Sequence, residues 1–226
     1  MRFARQSLRI AAKDLRAEMR TKEALNAALA FGVVILVIFS FVLDPGSEAI
    51  REMSGGLLWL TFVFAGALIL NRAFARELPN DCLDTLLAAP LSGAALFLGK
   101  TLASFVLLII VEGICLPIFG VLYDINWLLQ PGLLAAVLLL ATWGISVIGT
   151  VFSALTVNLR LRELMLPMLV YPIMIPALMA AMRLTTLLVT NEPISNDDWI
   201  WFRLLIGFDI IFTSLALGLV EIVLIG

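Results

Sequence analysis

The chain has 226 residues, 62% hydrophobic and 14% charged, with 15 Lys and Arg against 17 Asp and Glu, whereas ordinary globular domains run at about 45–50% apolar and about 25% charged. That balance, with a mean hydropathy of +1.07, excludes a water-soluble fold and makes the chain an integral membrane protein. It contains no histidine, so it lacks the commonest metal ligand and general base, and Cys82 and Cys115, its only cysteines, are too few for a disulfide framework.

Residues 1–23 come first. Ala4, Leu8, Ala11, Leu15 and Met19 fall on one helical face, and Arg2, Arg5, Arg9, Lys13, Arg16 and Arg20 recur on another. This is the pattern of an amphipathic helix lying in the membrane surface. The alternatives are a topology anchor and an elbow that bears on a cytosolic partner. With Asp14, Glu18 and Glu23 in the charged stretch and no small-residue cleavage site after the apolar run, the segment is expected to stay in the mature protein.

Six stretches then suffice to span a bilayer as helices of about 20 apolar residues: 26–43, 54–71, 99–122, 132–157, 164–182 and 204–225. The expected architecture is an all-α integral membrane protein with six transmembrane helices, forming one permease domain over 1–226 with 72–98 as a cytosolic segment. If the N-terminus is cytosolic, twelve Lys and Arg fall inside and three (Arg51, Arg183 and Arg203) fall outside. The charge rule for loops therefore places both termini in the cytosol. Tyr123, Trp127, Trp199 and Trp201 are then expected at the outer interface.

The connection after the second span, RAFARELPNDCLDTLLAAPLSGAALFL, is longer than topology requires. Asp81 and Asp84 make a capping-box-like start, Leu83, Leu86 and Leu87 form a small apolar face, and Pro90 stops the helix. Such a helix either packs on its own bundle or docks in a groove of another protein. GAALFLGKT at 93–101 imitates a phosphate loop, but five residues rather than four separate Gly93 and Gly99, and an apolar run follows. The stretch is read as the start of the third span.

Within the third span Glu112 falls near the midplane, where a carboxylate costs at least about 2.5–3.5 kcal/mol on insertion scales. It must face the bundle, a partner or a water-filled cavity. It is either a protonated, hydrogen-bonded structural group or part of a switch or substrate path. Asp209 and Glu221 lie nearer the ends of the last span, where water is easier to reach. Thr142, Ser146, Thr150 and Ser153, with Gly144 and Gly149, give the fourth span a small hydroxyl face suited to close helix contact. The fifth span carries Pro167, Pro172 and Pro176, each removing a backbone donor, and is expected to be kinked or irregular and to be the moving or cavity-lining element. Met165, Met168, Met174, Met179 and Met182 read as flexible filling around it.

Two stretches, FARELPNDCLDTLLAAPLSGAALFLGK and GTVFSALTVNLRLRELMLPMLVYPIMIPALM, resemble the cytosolic loop and the fourth-to-fifth helix passage of the haem exporter protein B (CcmB) family. The pattern of that family leads one to expect Gly near Cys82 and Glu near Asp84; the acidic character is kept. The resemblance implies a permease subunit of an ATP-binding-cassette complex (ABC-2 or type V exporter-like) acting in cytochrome c maturation in the bacterial inner membrane. By that resemblance ATP is hydrolysed on a separate CcmA-like subunit that docks on Glu77, Asp81, Leu83, Asp84, Leu86, Leu87 and Pro90. CcmC and CcmD are membrane partners, and the haem-loaded chaperone CcmE is released on the outer face. No cofactor is expected on the chain itself, haem being held by partners; no catalytic residue, metal site or nucleic-acid partner is expected either. The competing readings are an export permease for a lipid, drug or polysaccharide, a non-transporting assembly subunit, and a membrane enzyme. The last lacks its parts, since no Ser or Cys stands beside a plausible base.

Overall fold

A computed structural model describes residues 2–77, 92–156 and 162–225. The helix order is α1 (Arg2–Thr21), α2 (Glu23–Val42), α3 (Glu48–Leu70), a short 3₁₀ turn (Ala75–Glu77), α4 (Gly93–Tyr123), α5 (Pro131–Thr156), α6 (Arg162–Thr190) and α7 (Trp199–Ile225). The six helices α2 to α7 are long and apolar enough to cross a membrane. No strand occurs among the described residues.

Local chemistry sets the helix ends. Ser47 and Ser92 cap α3 and α4, their hydroxyls accepting from the Ile50 and Ala95 N–H groups. Pro131 opens α5 at the position where a missing N–H costs nothing. Asp124 and Asn191 take left-handed backbone just beyond α4 and α6, as helix C-termini commonly require. Lys22, also left-handed at φ 54°, is the bend between α1 and α2. Glu18 accepts from the Leu25 N–H across it at 2.8 Å, so the elbow helix caps the first turn of α2.

Every membrane helix but α5, which has the predicted length, is longer than its predicted span. At 1.5 Å per residue, α4 runs to about 46 Å against a hydrocarbon core of about 30 Å, so its first two turns reach past the membrane to the level of α1.

Helices α3 and α5 are central and α2 and α7 peripheral: about two thirds of the α3 span is buried and under a third of the α2 and α7 spans. Close approach depends on three glycines. A Cβ on Gly55 would lie 2.1 Å from the Met182 carbonyl oxygen of α6, one on Gly149 would lie 2.4 Å from Leu70 of α3, and one on Gly99 would lie 2.7 Å from Ile10 of α1. The α3–α6 seam is tied by the Trp59 indole N–H donating to Thr185 Oγ1 at 2.9 Å and the Gly55 N–H donating to Thr186 Oγ1 at 3.1 Å.

The prolines of α6 lie inside one helix, Arg162–Thr190, which spans Pro167, Pro172 and Pro176, and Pro167 and Tyr171 line a cavity against α2 and α3. Two expectations need correction. Tyr123 is not an interfacial ring but fully buried, its hydroxyl donating to the Leu36 carbonyl at 2.6 Å. Asp209 is withdrawn from water, 8% exposed, with Oδ1 2.9 Å from where a Cβ on Gly144 would stand.

Candidate functional site

The polar chemistry of the chain concentrates where α1, the turn after α3 and the start of α4 meet. Helix α1 does not pack by its predicted apolar face alone. Ser7, Ile10, Ala11 and Glu18 are buried, while Leu8 and Met19 stay exposed. Gly99 lets α1 come close, and Lys100, next in sequence, draws its acidic stripe inward.

Lys100 is 1% exposed; its ammonium donates to the Ala73 carbonyl at 2.8 Å and to Glu77 Oε1 at 2.8 Å, and forms an ion pair with Asp14 Oδ2 at 3.0 Å. Its ammonium also stands 5.3 Å from the centre of the Phe74 ring, within cation–π range. Lys13 approaches from the rim, donating to Glu77 Oε1 at 2.7 Å and lying 3.2 Å from Asp14 Oδ1. Two lysines and two carboxylates thus close a neutral cluster, the condition on which a buried charge is tolerable.

Burial is the largest influence on the Glu77 carboxyl and pushes its pKa up, but Lys100 and then Lys13 outweigh it and hold it below the ordinary 4.5. For Lys13 burial again acts first, downward, and Glu77 and Asp14 reverse it, raising the ammonium above 10.5.

The arrangement is mechanical rather than catalytic. It fixes Ala73–Glu77, from which the connection to α4 leaves, against both α1 and α4. Of the predicted docking residues, Glu77 turns inward at 8% exposure. Asp81, Leu83, Asp84, Leu86, Leu87 and Pro90 lie outside the described residues. The pattern of residues did not single out Lys100 or Asp14. The available signal was an acidic pair, Asp14 and Glu18, four apart on an otherwise basic helix, with a lysine stranded in an apolar helix start behind a glycine.

Glu112 occupies the bundle interior at 3% exposure, Thr142 of α5 donating to its Oε1 at 2.5 Å. Its Oε2, like Asp209 Oδ2 and Thr150 Oγ1, has no hydrogen-bond partner among the described residues. Thr142, Ser146, Thr150 and Ser153 are all buried, as the close-packing reading of α5 requires. Pro167, Pro172 and Pro176 sit on α6, where Pro167 lines a cavity with Arg72 and Ala75 of the turn after α3.

A family model described as CcmB protein matches residues 5–219. Among curated proteins the chain is 32% identical over 171 residues to Heme exporter protein B of Rhodobacter capsulatus, covering 74% of this chain and 76% of that one. It is 31% identical over 166 residues to Heme exporter protein B of Paracoccus denitrificans, with the same two shares. To Heme exporter protein B of Pseudomonas aeruginosa it is 26% identical over 207 residues, 92% of each chain.

Proposed function

The chain belongs to the CcmB family, and on that premise we propose that it is the permease subunit of an ATP-binding-cassette complex in cytochrome c maturation. The complex sits in the bacterial inner membrane, with both termini of this chain cytosolic. A CcmA-like subunit hydrolyses ATP and docks on the 77–90 segment. CcmC and CcmD complete the membrane assembly, and the cycle drives release of the haem-loaded chaperone CcmE on the periplasmic side. The chain itself performs no hydrolysis.

The observation that carries this reading is the charged cluster. A partner's nucleotide cycle biases a two-state bundle only through contacts that differ between the states. The docking segment leaves from Glu77, whose carboxylate is locked to Lys100 of α4 and Lys13 of α1. A push on the segment is therefore delivered to a membrane helix and to the elbow at once. In this reading Glu112 is the intramembrane group whose bond to Thr142 of α5 registers the relative position of α4 and α5. The prolines of α6 mark the helix that adjusts.

The test is complementation of a strain lacking the endogenous gene. The wild-type chain restores c-type cytochromes, and the Asp81→Lys/Asp84→Lys variant reaches the membrane in normal amount without restoring them. Full restoration by the variant removes the docking assignment. Failure of the wild-type chain with normal insertion removes the pathway.

A further inference from the structure

Helices α2 and α6 flank α3 and leave a lateral cavity of about 640 Å³ between them, at the end of the bundle that carries α1. Its volume lies in the range of small-molecule sites, about 300–1,000 Å³. The side away from α1 is roofed by three rings, one from each helix. Phe31 and Phe64 stand 6.5 Å apart by ring centres, and Phe64 and Tyr171 5.7 Å apart. At the mouth Arg72 Nη1 and Glu23 Oε2 form an ion pair at 2.7 Å, both side chains largely open to the surroundings. Phe31 is eight positions along α2 from Glu23, about 12 Å along the helix axis. The cavity thus has an apolar depth and a mouth bearing both signs of charge.

The mouth is chemically incomplete. Arg72 commits one N–H to Glu23 and keeps the remaining donors of its guanidinium fork, which suit a phosphate. Glu23 keeps its second oxygen. Asn71 also lines the cavity, and its Oδ1 is buried with no hydrogen-bond donor among the described residues. One buried oxygen without a donor and one open carboxylate oxygen therefore lie beside a guanidinium with donors to spare.

We propose that this cavity binds a phospholipid with an ethanolamine headgroup, taken from the leaflet on the α1 side. The phosphate rests on Arg72, the ammonium donates to Glu23 and Asn71, and an acyl chain lies against Phe31, Phe64 and Tyr171. A choline head has no N–H to donate. A glycerol head carries no cation for Glu23. A free headgroup leaves the aromatic roof uncovered. The ethanolamine lipid satisfies all three parts of the cavity.

The experiment is native mass spectrometry of the purified chain in detergent, after exchange against equimolar phosphatidylethanolamine, phosphatidylglycerol and phosphatidylcholine with identical acyl chains. The expected result is one retained phosphatidylethanolamine, favoured about tenfold over phosphatidylcholine, the scale set by a hydrogen bond to a charged group. Arg72→Gln should weaken retention of every phospholipid. Glu23→Gln, at a side chain too open to matter for folding, should leave retention but shift preference towards phosphatidylglycerol. Equal retention of the three heads by the wild-type chain, no retained phospholipid, or an unchanged preference in both variants would overturn the proposal.

Discussion

At the scale of single residues, Lys100 does the most. A lysine buried with three oxygen acceptors and two carboxylates costs little while the set is complete and much when it is broken. Removing one partner of a buried pair typically costs about 3–5 kcal/mol. Lys100→Met should therefore lower the unfolding midpoint of the purified chain steeply and open α1 to protease. Adding Glu77→Leu leaves Lys13 and Asp14 as a neutral pair and should recover most of the stability, but without the link from α4 to the docking segment. A double variant that is stable and still fully functional would show the cluster to be a staple and nothing more. The pH dependence follows from the two shifts. Glu77 is held below 4.5, so its contribution is present above that value and is lost as the pH falls through the lowered folded value. Lys13 is raised above 10.5, so its contribution is present below that value and is lost as the pH rises through the folded one. Protection of α1 from protease should be flat between about 4.5 and 10.5 and should fall first on the acid side. Neither role was legible in the residues, because a lysine at a helix start reads as one more cytosolic charge. Only the close approach allowed by Gly99 turns it inward.

Among helices, close seams at glycines set the packing. Gly55 faces the Met182 carbonyl, a backbone atom that has no rotamer to retreat into. Gly55→Ala should separate α3 from α6 and cost at least the roughly 1–3 kcal/mol typical of overpacking, read as a drop in the thermal midpoint. Gly56, next to it, has nothing within 4 Å of a Cβ, so Gly56→Ala is the control and should change little. Thr142→Val would leave Glu112 with neither oxygen hydrogen-bonded among the described residues, and should cost about 1–3 kcal/mol. Glu112→Gln keeps an oxygen to accept from Thr142 and should be tolerated. Severe loss of function from Glu112→Gln at normal expression would make the carboxyl itself part of the mechanism. The small hydroxyl face of α5 was readable because Gly, Ser and Thr at helical spacing have few other uses in a membrane. That α6 is one helix was readable from its apolar run, but its extension from 182 to Thr190 was not, because that part holds the seam to α3, where Gly55 and Trp59 donate to Thr186 and Thr185. The packing face of α1 was half readable, since Ala11 and Leu15 do turn towards the bundle, but the pattern of apolar residues gave no sign that Ser7 and Glu18 are buried with them.

For the whole molecule, the six spans were plain from hydropathy, and the family from two stretches, one of them centred on the 77–90 segment. Helix ends were less plain, because α3, α4 and α6 extend past their apolar windows on capping groups and on partners outside the hydrocarbon. The central claim is that this chain couples to an ATPase through 77–90. The direct measurement is co-purification of the tagged chain from solubilised membranes, with the bound proteins identified and ATPase activity followed, for the wild type and for a chain altered at Asp81, Leu83, Asp84, Leu86 and Leu87. The account predicts a haem-maturation ATPase bound by the wild type and lost from the altered chain, with α1 protected equally in both. An ATPase retained in full by the altered chain, or none bound by the wild type, would contradict it.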